Sequence, residues 1–281
     1  MRKLFTLGVL LLLGVTALGP SQGQAFNSGT HIYIAEQVFP KCIDKIDLYY
    51  GSIAPDLDMF VTPPDNWPAA FEDTHKNFID LRSDAWTLSQ KAFSKGWFIH
   101  NGVRGADFYA HGKFPESKKG YVIIKAKQLI PGAEGLMLDF AHTIIETGVD
   151  LLVKYDLDPE IGGKLLNACQ NRSFQDLFLL VKVLVYQEGV TDWATLVSAE
   201  SFFRGITIQY ASALSLDEGN DRWALAELIA QIAQQMYGIP VEQEDVLELL
   251  EYAIYLCQED YQEVIDTAIE GIKKYSKKLA K

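Results

Sequence analysis

Runs of apolar residues at helical spacing, cut apart by proline- and glycine-rich breakers, constrain this chain more than any other feature. "THIYIAEQVF" (30–39), "DFAHTIIETGVDLLVKY" (139–155), "SFQDLFLLVKVLVY" (173–186), "RWALAELIAQIAQQMY" (222–237) and "EDVLELLEYAIYLC" (244–257) set apolar side chains three and four apart, which places them on one side of an α-helix. The segments "TPPDNWP", "GKFPESKKG", "IPGAEG", "LDEGND" and "YGIP" separate such runs and carry the residues that stop helices. No alternating series long enough for a sheet occurs, nor does a repeat or low-complexity tract. The pattern predicts an all-α, multi-helix single domain. With 281 residues, 48% of them hydrophobic, the chain can bury a sizeable core.

The first 25 residues stand apart from that pattern. Arg2 and Lys3 precede the apolar run "LFTLGVLLLLGVTAL", and "SQGQA" follows it, the charged, apolar and small-residue order of a signal peptide. The run is shorter than the ~20 residues that span a bilayer, and no cysteine lies nearby to carry a lipid. The sequence therefore predicts residues 1–25 as a cleaved signal peptide and 26–281 as a secreted or periplasmic domain. Loss of Arg2 and Lys3 takes the net charge from −12 to near −14. Such a surface disfavours long nucleic acids, unless a bound cation reverses the local field. The closing "KKYSKKLAK" is the one basic cluster, and a helix C-terminus suits it. Cys42, Cys169 and Cys257 are too scattered for a disulfide scaffold or a CxxC site. One disulfide or three buried thiols fit equally.

Histidine placement is more specific. All five lie between positions 31 and 142: His31, His75, His100, His111 and His142. Asp107 is four residues before His111, and Glu146 four after His142, so each pair lies about one turn apart on one helix face. Both pairs can share a cation at the ~2 Å distances of zinc with imidazole or carboxylate. On one unbroken helix His100 would point within ~40° of Asp107 and His111, though seven residues is a long reach; Gly102 and Gly105 between them mark a place for a bend. The chain thus divides into a metal-site half, 26–150, and a histidine-free helical scaffold, 151–281.

Taken together, "FNSGTHIYIAEQVF", "GSIAPDLD", "EDTHKNF", "WFIHNGVRGADFYAHG" and "AHTIIETG" resemble the ligand segments of the zinc-dependent phospholipase C family, whose all-helical fold is shared with three-zinc single-strand nucleases. The resemblance runs from about residue 26 to 150. It implies up to three zinc ions: one on Phe26 (through its free amine and carbonyl), His31 and Asp107; one on Asp56, His75, His100 and Asp107; one on His111, His142 and Glu146. Asp107 would bridge two ions, and Asp56 would act as ligand or general base. Asp58, Glu72, Asp73 and Asp150 are the carboxylates at hand to orient imidazoles. The chain departs from the family in one respect: the central histidine normally precedes the bridging aspartate by four residues, a place taken here by Val103.

The function implied is hydrolysis of a phosphoester by metal-activated water, phospholipids being the first substrate and Asp56 and Asp107 the catalytic carboxylates. Contact with a membrane surface would be transient. A single-strand nuclease or nucleotidase on the same scaffold is the second reading. A relative that binds metal without turnover is the third, and the altered spacing before Asp107 is its support. The aromatic-rich "MFVTPPDNWPAAF" (59–71) either lines a mouth for substrate or packs a loop.

Overall fold

The computed structural model describes residues 27–61, 66–77, 79–112, 120–187 and 191–279. The leader and Phe26 lie outside these, as do parts of "TPPDNWP" and "GKFPESKKG". Among the described residues there are helices and turns and no strand, so the all-α expectation holds.

Thirteen α-helices follow in order among the described residues: α1 (Ser28–Val38), α2 (Lys45–Ile53), α3 (Trp67–Phe71), α4 (Leu88–His100), α5 (Ala106–His111), α6 (Tyr121–Leu129), α7 (Leu136–Leu152), α8 (Ile161–Asn171), α9 (Leu177–Val181), α10 (Trp193–Leu214), α11 (Asn220–Ile232), α12 (Gln243–Cys257) and α13 (Tyr261–Leu279). At some of their starts a short polar side chain accepts from an orphan backbone N–H group. Asp44 accepts from Asp47 N at α2, Thr87 and Gln90 form a reciprocal capping box at α4, and Asp192 accepts from Thr195 N at α10. The described part of the basic closing segment, residues 273–279, falls in the last turns of α13. All three cysteines are free; Cys169 and Cys257 are buried and Cys42 half-buried. Burial pushes the Cys169 thiol up to about 12 and the Cys257 thiol to about 11.

Helix α1 runs through the middle, touching α2, α4, α7, α8 and α13. Its buried positions include Ile32, Ile34, Ala35 and Val38. Helices α6 and α12 pack on α7, α10 packs on α8 and α11, and α13 closes back on α1 and α5. The two ends of the described chain are thereby tied into one domain. Asp150 of α7 fixes the start of α1 by accepting from Gly29 N (2.8 Å), Thr30 N (2.7 Å) and the Thr30 hydroxyl (2.6 Å), while Tyr210 of α10 donates to its other face (2.9 Å).

Helices α2 and α4 form the tightest pair. Residues 44–46 and 88–95 line one pocket at their starts, and His100 meets Ser52 at their ends, so the two run parallel. Gly51 and Gly96 make the close crossing possible. A Cβ on Gly51 would lie 2.2 Å from the Phe93 carbonyl oxygen, and one on Gly96 2.1 Å from that of Leu48. Backbone cannot yield as a side-chain tip would, so Gly51→Ala and Gly96→Ala should each cost about 1–3 kcal/mol or more. The check is a lower urea midpoint at unchanged slope; unchanged midpoints would contradict the crossing.

Asp176, buried before α9, receives no hydrogen bond from any donor in the structure, and its carboxyl lies against that of Asp47. Burial, then the neighbouring Asp47 charge, raise its pKa to about 9, against the pull of Arg172. Unfolded, it would ionise near ~4. Between those values the folded chain holds a proton that the unfolded chain has released, so stability falls as pH rises through the window. Asp176→Asn should raise the melting temperature at pH 8 and lose that advantage toward pH 4. A pH-independent difference would refute the assignment.

Candidate metal centre

Six segments deliver the histidines and carboxylates to one buried region. His31 comes from α1; Asp56 from the 3-10 turn Ala54–Phe60 that extends α2; His75 from the π-turn Glu72–Lys76 after α3. His100 is the last residue of α4, Asp107 and His111 lie on α5, and His142 and Glu146 on α7. One expectation needs correction. His100, Asp107 and His111 do not share a helix, because α4 stops at His100 and a turn over 101–105 reverses into α5. The Asn101 side chain accepts from Val103 N and Arg104 N, and Gly102 N donates to the His75 carbonyl at 2.8 Å. A Cβ at Gly102 would sit 2.5 Å from Asp107 Oδ2. A side chain here would push the Asp107 carboxylate from its place over this turn.

Two groups result, and each can hold a metal ion: Asp56 with His75 and His100, and His111 with His142 and Glu146. In the first, His75 Nε2 and His100 Nε2 are 3.1 Å apart, with Asp56 Oδ1 3.4 and 3.3 Å from them. The tautomers follow from the far side of each ring. His100 Nδ1 lies 2.9 Å from the Ser52 carbonyl, which only accepts, so Nδ1 carries the proton. His75 Nδ1 lies 2.7 Å from Thr74 Oγ1, whose own hydrogen goes to the Ala70 carbonyl, so Nδ1 donates there too. Both Nε2 atoms therefore face each other beside a carboxylate, an arrangement that demands positive charge between them, from a ring proton or a cation.

The second group repeats the logic. Asp107 Oδ1 takes the His111 Nδ1–H at 2.6 Å, turning the Nε2 lone pair toward His142 Nε2 at 2.5 Å and Glu146 Oε1 at 3.6 Å; His142 Nε2 is 3.3 Å from the same oxygen. The rings of His111 and His142 stack 4.7 Å apart.

Electrostatics point the same way. Glu146 is held well above the usual carboxylate range by burial, then by the charges of Asp56, Asp150 and Asp107. His75 is raised to about 9: burial opposes this, but the Asp56 carboxylate 3.4 Å away and the charges of Asp58 and Asp107 outweigh it, so the cluster draws positive charge onto the ring itself where no cation supplies it. Buried Asp56 Oδ1, Asp107 Oδ2, Glu146 Oε1 and both ring nitrogens of His31 have no hydrogen-bond partner in the structure. Unpartnered acceptors of this kind, concentrated in one place, fit a site for a cation. The donor set of imidazole and carboxylate, without thiolate, suits zinc.

His31 stands beside the first group, its ring stacked on His100 at 4.3 Å and 11°. Burial, then the His100 charge, lower its pKa well below the ordinary value, leaving a neutral ring. It belongs to neither triplet, and its expected partner Phe26 lies outside the described residues. Asp107 joins the groups differently from a simple bridge: Oδ1 orients His111 while buried Oδ2 is left over. Of the carboxylates expected to orient imidazoles, Asp58 is 3.9 Å from His75 Nδ1, Asp150 anchors α1, Glu72 pairs with Lys76 and Asp73 with Asn77. Ser52 and Thr74 do the orienting. A backbone carbonyl leaves no trace in sequence, and Thr74 shows only as the neighbour of His75.

Compared with known proteins, the chain matches no family model, no curated sequence and no solved structure.

Three changes test the centre by metal content. His142→Ala should lower metal uptake by one ion and leave uptake by the first group intact; Asp56→Ala should do the reverse. Thr74→Val should weaken the first group about 10–100-fold, with Thr74→Ser restoring it. Equal losses from both groups in all three variants would show that the triplets are not separate sites.

Proposed function

We propose that this protein is an exported, zinc-dependent phosphoester hydrolase that acts on phospholipids in the manner of a phospholipase C. The observation that carries the reading is the pair of three-ligand groups linked through Asp107. Their order along the chain is the order of ligand segments in the family that the sequence resembles.

Zinc bound there would supply Lewis-acid activation of water and positive charge for the phosphoryl oxygens. The chain's own residues do the rest. Asp56, His75 and His100 would hold one ion, and His111, His142 and Glu146 another, with His31 beside the first. Ser52 and Thr74 hold protons on the Nδ1 atoms, which keeps Nε2 free. Asp107 fixes His111 through Oδ1 and adds negative charge between the groups.

Asp56 is the member of the first group with solvent access, its side chain 14% exposed against 1% for His75 and none for His100. Substrate would therefore approach over Asp56, where the carboxylate also suits a general base. Phe60 and Trp67, both half-buried, flank that side in sequence and offer apolar contact for an acyl chain. The acidic surface disfavours a long nucleic-acid strand.

The experiment is turnover of phosphatidylcholine, single-stranded DNA and a simple phosphodiester by the zinc-loaded protein, before and after chelation. Phosphatidylcholine should be cleaved fastest, chelation should abolish the rate and zinc should restore it. Asp107→Asn should lower it at least about 100-fold, since it disturbs His111 and the charge balance of both groups. Failure of the metal-loaded protein on all three substrates would sink the hydrolase reading, and preference for DNA would shift it to the nuclease.

A further inference from the structure

At the far end of α2 and α4 from the metal groups lies a surface of opposite character. A pocket of about 570 Å³ opens between the starts of the two helices and is lined by Lys41, Lys45, Lys91 and Lys95 with Ile43, Leu88 and a single carboxylate, Asp44. The acidic groups nearby are committed elsewhere. Asp44 caps α2, Asp80 pairs with Arg82 and Asp84 with Lys182, while Glu36 divides itself between Lys164 at 2.7 Å and, more loosely, Lys45 at 3.9 Å. Both helices direct the positive ends of their dipoles here. In a chain of net charge −12, this is a concentrated positive field.

Large apolar side chains protrude around it. Ile43 is 92% exposed, Trp86 81% and Leu88 72%. The segment 173–178 is pinned alongside, because Ser173 N donates to Asp47 Oδ1 at 2.7 Å and Gln90 Nε2 to the Gln175 carbonyl at 3.0 Å. It brings Phe174 and Phe178, both more than half exposed, whose rings form a cluster with Trp193 at 6.0–6.4 Å. Lysines interleaved with protruding Trp, Phe, Leu and Ile are the composition of a surface that sits in a headgroup layer.

We propose that this face docks the protein on a bilayer containing anionic lipids, the lysine pocket receiving headgroup phosphates while Trp86, Leu88, Ile43 and the Phe174–Phe178–Trp193 cluster enter the interface. Charge decides the occupant: an isologous contact with a second copy would set lysine against lysine. The inference does not rest on the hydrolase reading. His100 lies roughly 18 Å along α4 from Leu88, so the contact tethers the molecule and does not feed a bilayer lipid to the metal groups. No described helix is long and apolar enough to cross the membrane.

The test is flotation of the full chain with phosphatidylcholine vesicles, with and without roughly one-third phosphatidylserine, comparing variants that share the same leader. Binding should need the anionic lipid and weaken with salt. Lys91→Gln with Lys95→Gln should lower it about 25-fold, at about fivefold per lysine, and Trp86→Ala with Phe178→Ala should lower it further. Zinc content should stay unchanged throughout, which separates this result from failure of the metal centre. Equal binding to both vesicle types, or none to either, overturns the proposal. So does binding indifferent to the lysine changes, or a dimer in sedimentation that the same changes dissolve.

Discussion

Negative charge and unshared lone pairs, buried together, are the constraint on which this molecule turns. Asp56, Asp107, Glu146 and Asp150 approach one another inside a helical core, among imidazoles whose protons are already committed outward. Isolated ionised carboxylates are not tolerated in such surroundings without partners. The folded chain relieves part of the strain with hydrogen bonds, as Asp150 does with the start of α1. The remainder calls for cations. Everything around the groups, from the capped helix starts to the stacked rings, holds these side chains in place against that repulsion.

The parallel pair α2–α4 supplies the scaffold and the polarity. Two helices packed side by side in the same direction add their dipoles instead of cancelling them. The negative ends meet where Ser52 receives the His100 proton and Asp56 follows, which favours a metal ion; the positive ends meet among lysines. Glycines at the crossing bring the backbones close enough for the Ser52–His100 bond to form. One packing decision therefore creates two chemically opposite ends of the protein.

Much of this was legible beforehand, for a definite reason. Helical periodicity exposes core faces, and α1, α7, α11 and α12 lie where the apolar spacing puts them. Asp107–His111 and His142–Glu146 were readable as pairs because a four-residue step is local geometry. The long α10 was harder to see, its "SFFRGITIQYASAL" stretch being rich in β-branched and aromatic residues around Gly205, a pattern that blurs one-sided spacing. Where α4 breaks was only hinted at by Gly102 and Gly105, since the turn is closed by a hydrogen bond to His75, 27 positions back in the chain. Ser52 as a histidine's partner left no mark at all, because a carbonyl carries no side-chain identity.

The two ligand sets also differ in how far the chain must travel to build them. Asp56, His75 and His100 arrive from three separate elements, while His142 and Glu146 sit one turn apart on α7. An unfolded polypeptide can present the second pair as soon as that helix forms, yet it has no means of gathering the first trio until the tertiary structure closes. Any ion capture at the first set would thus be a late act of maturation, its affinity part of the free energy of folding itself, and scarcity of metal would be felt there as an incompletely locked core.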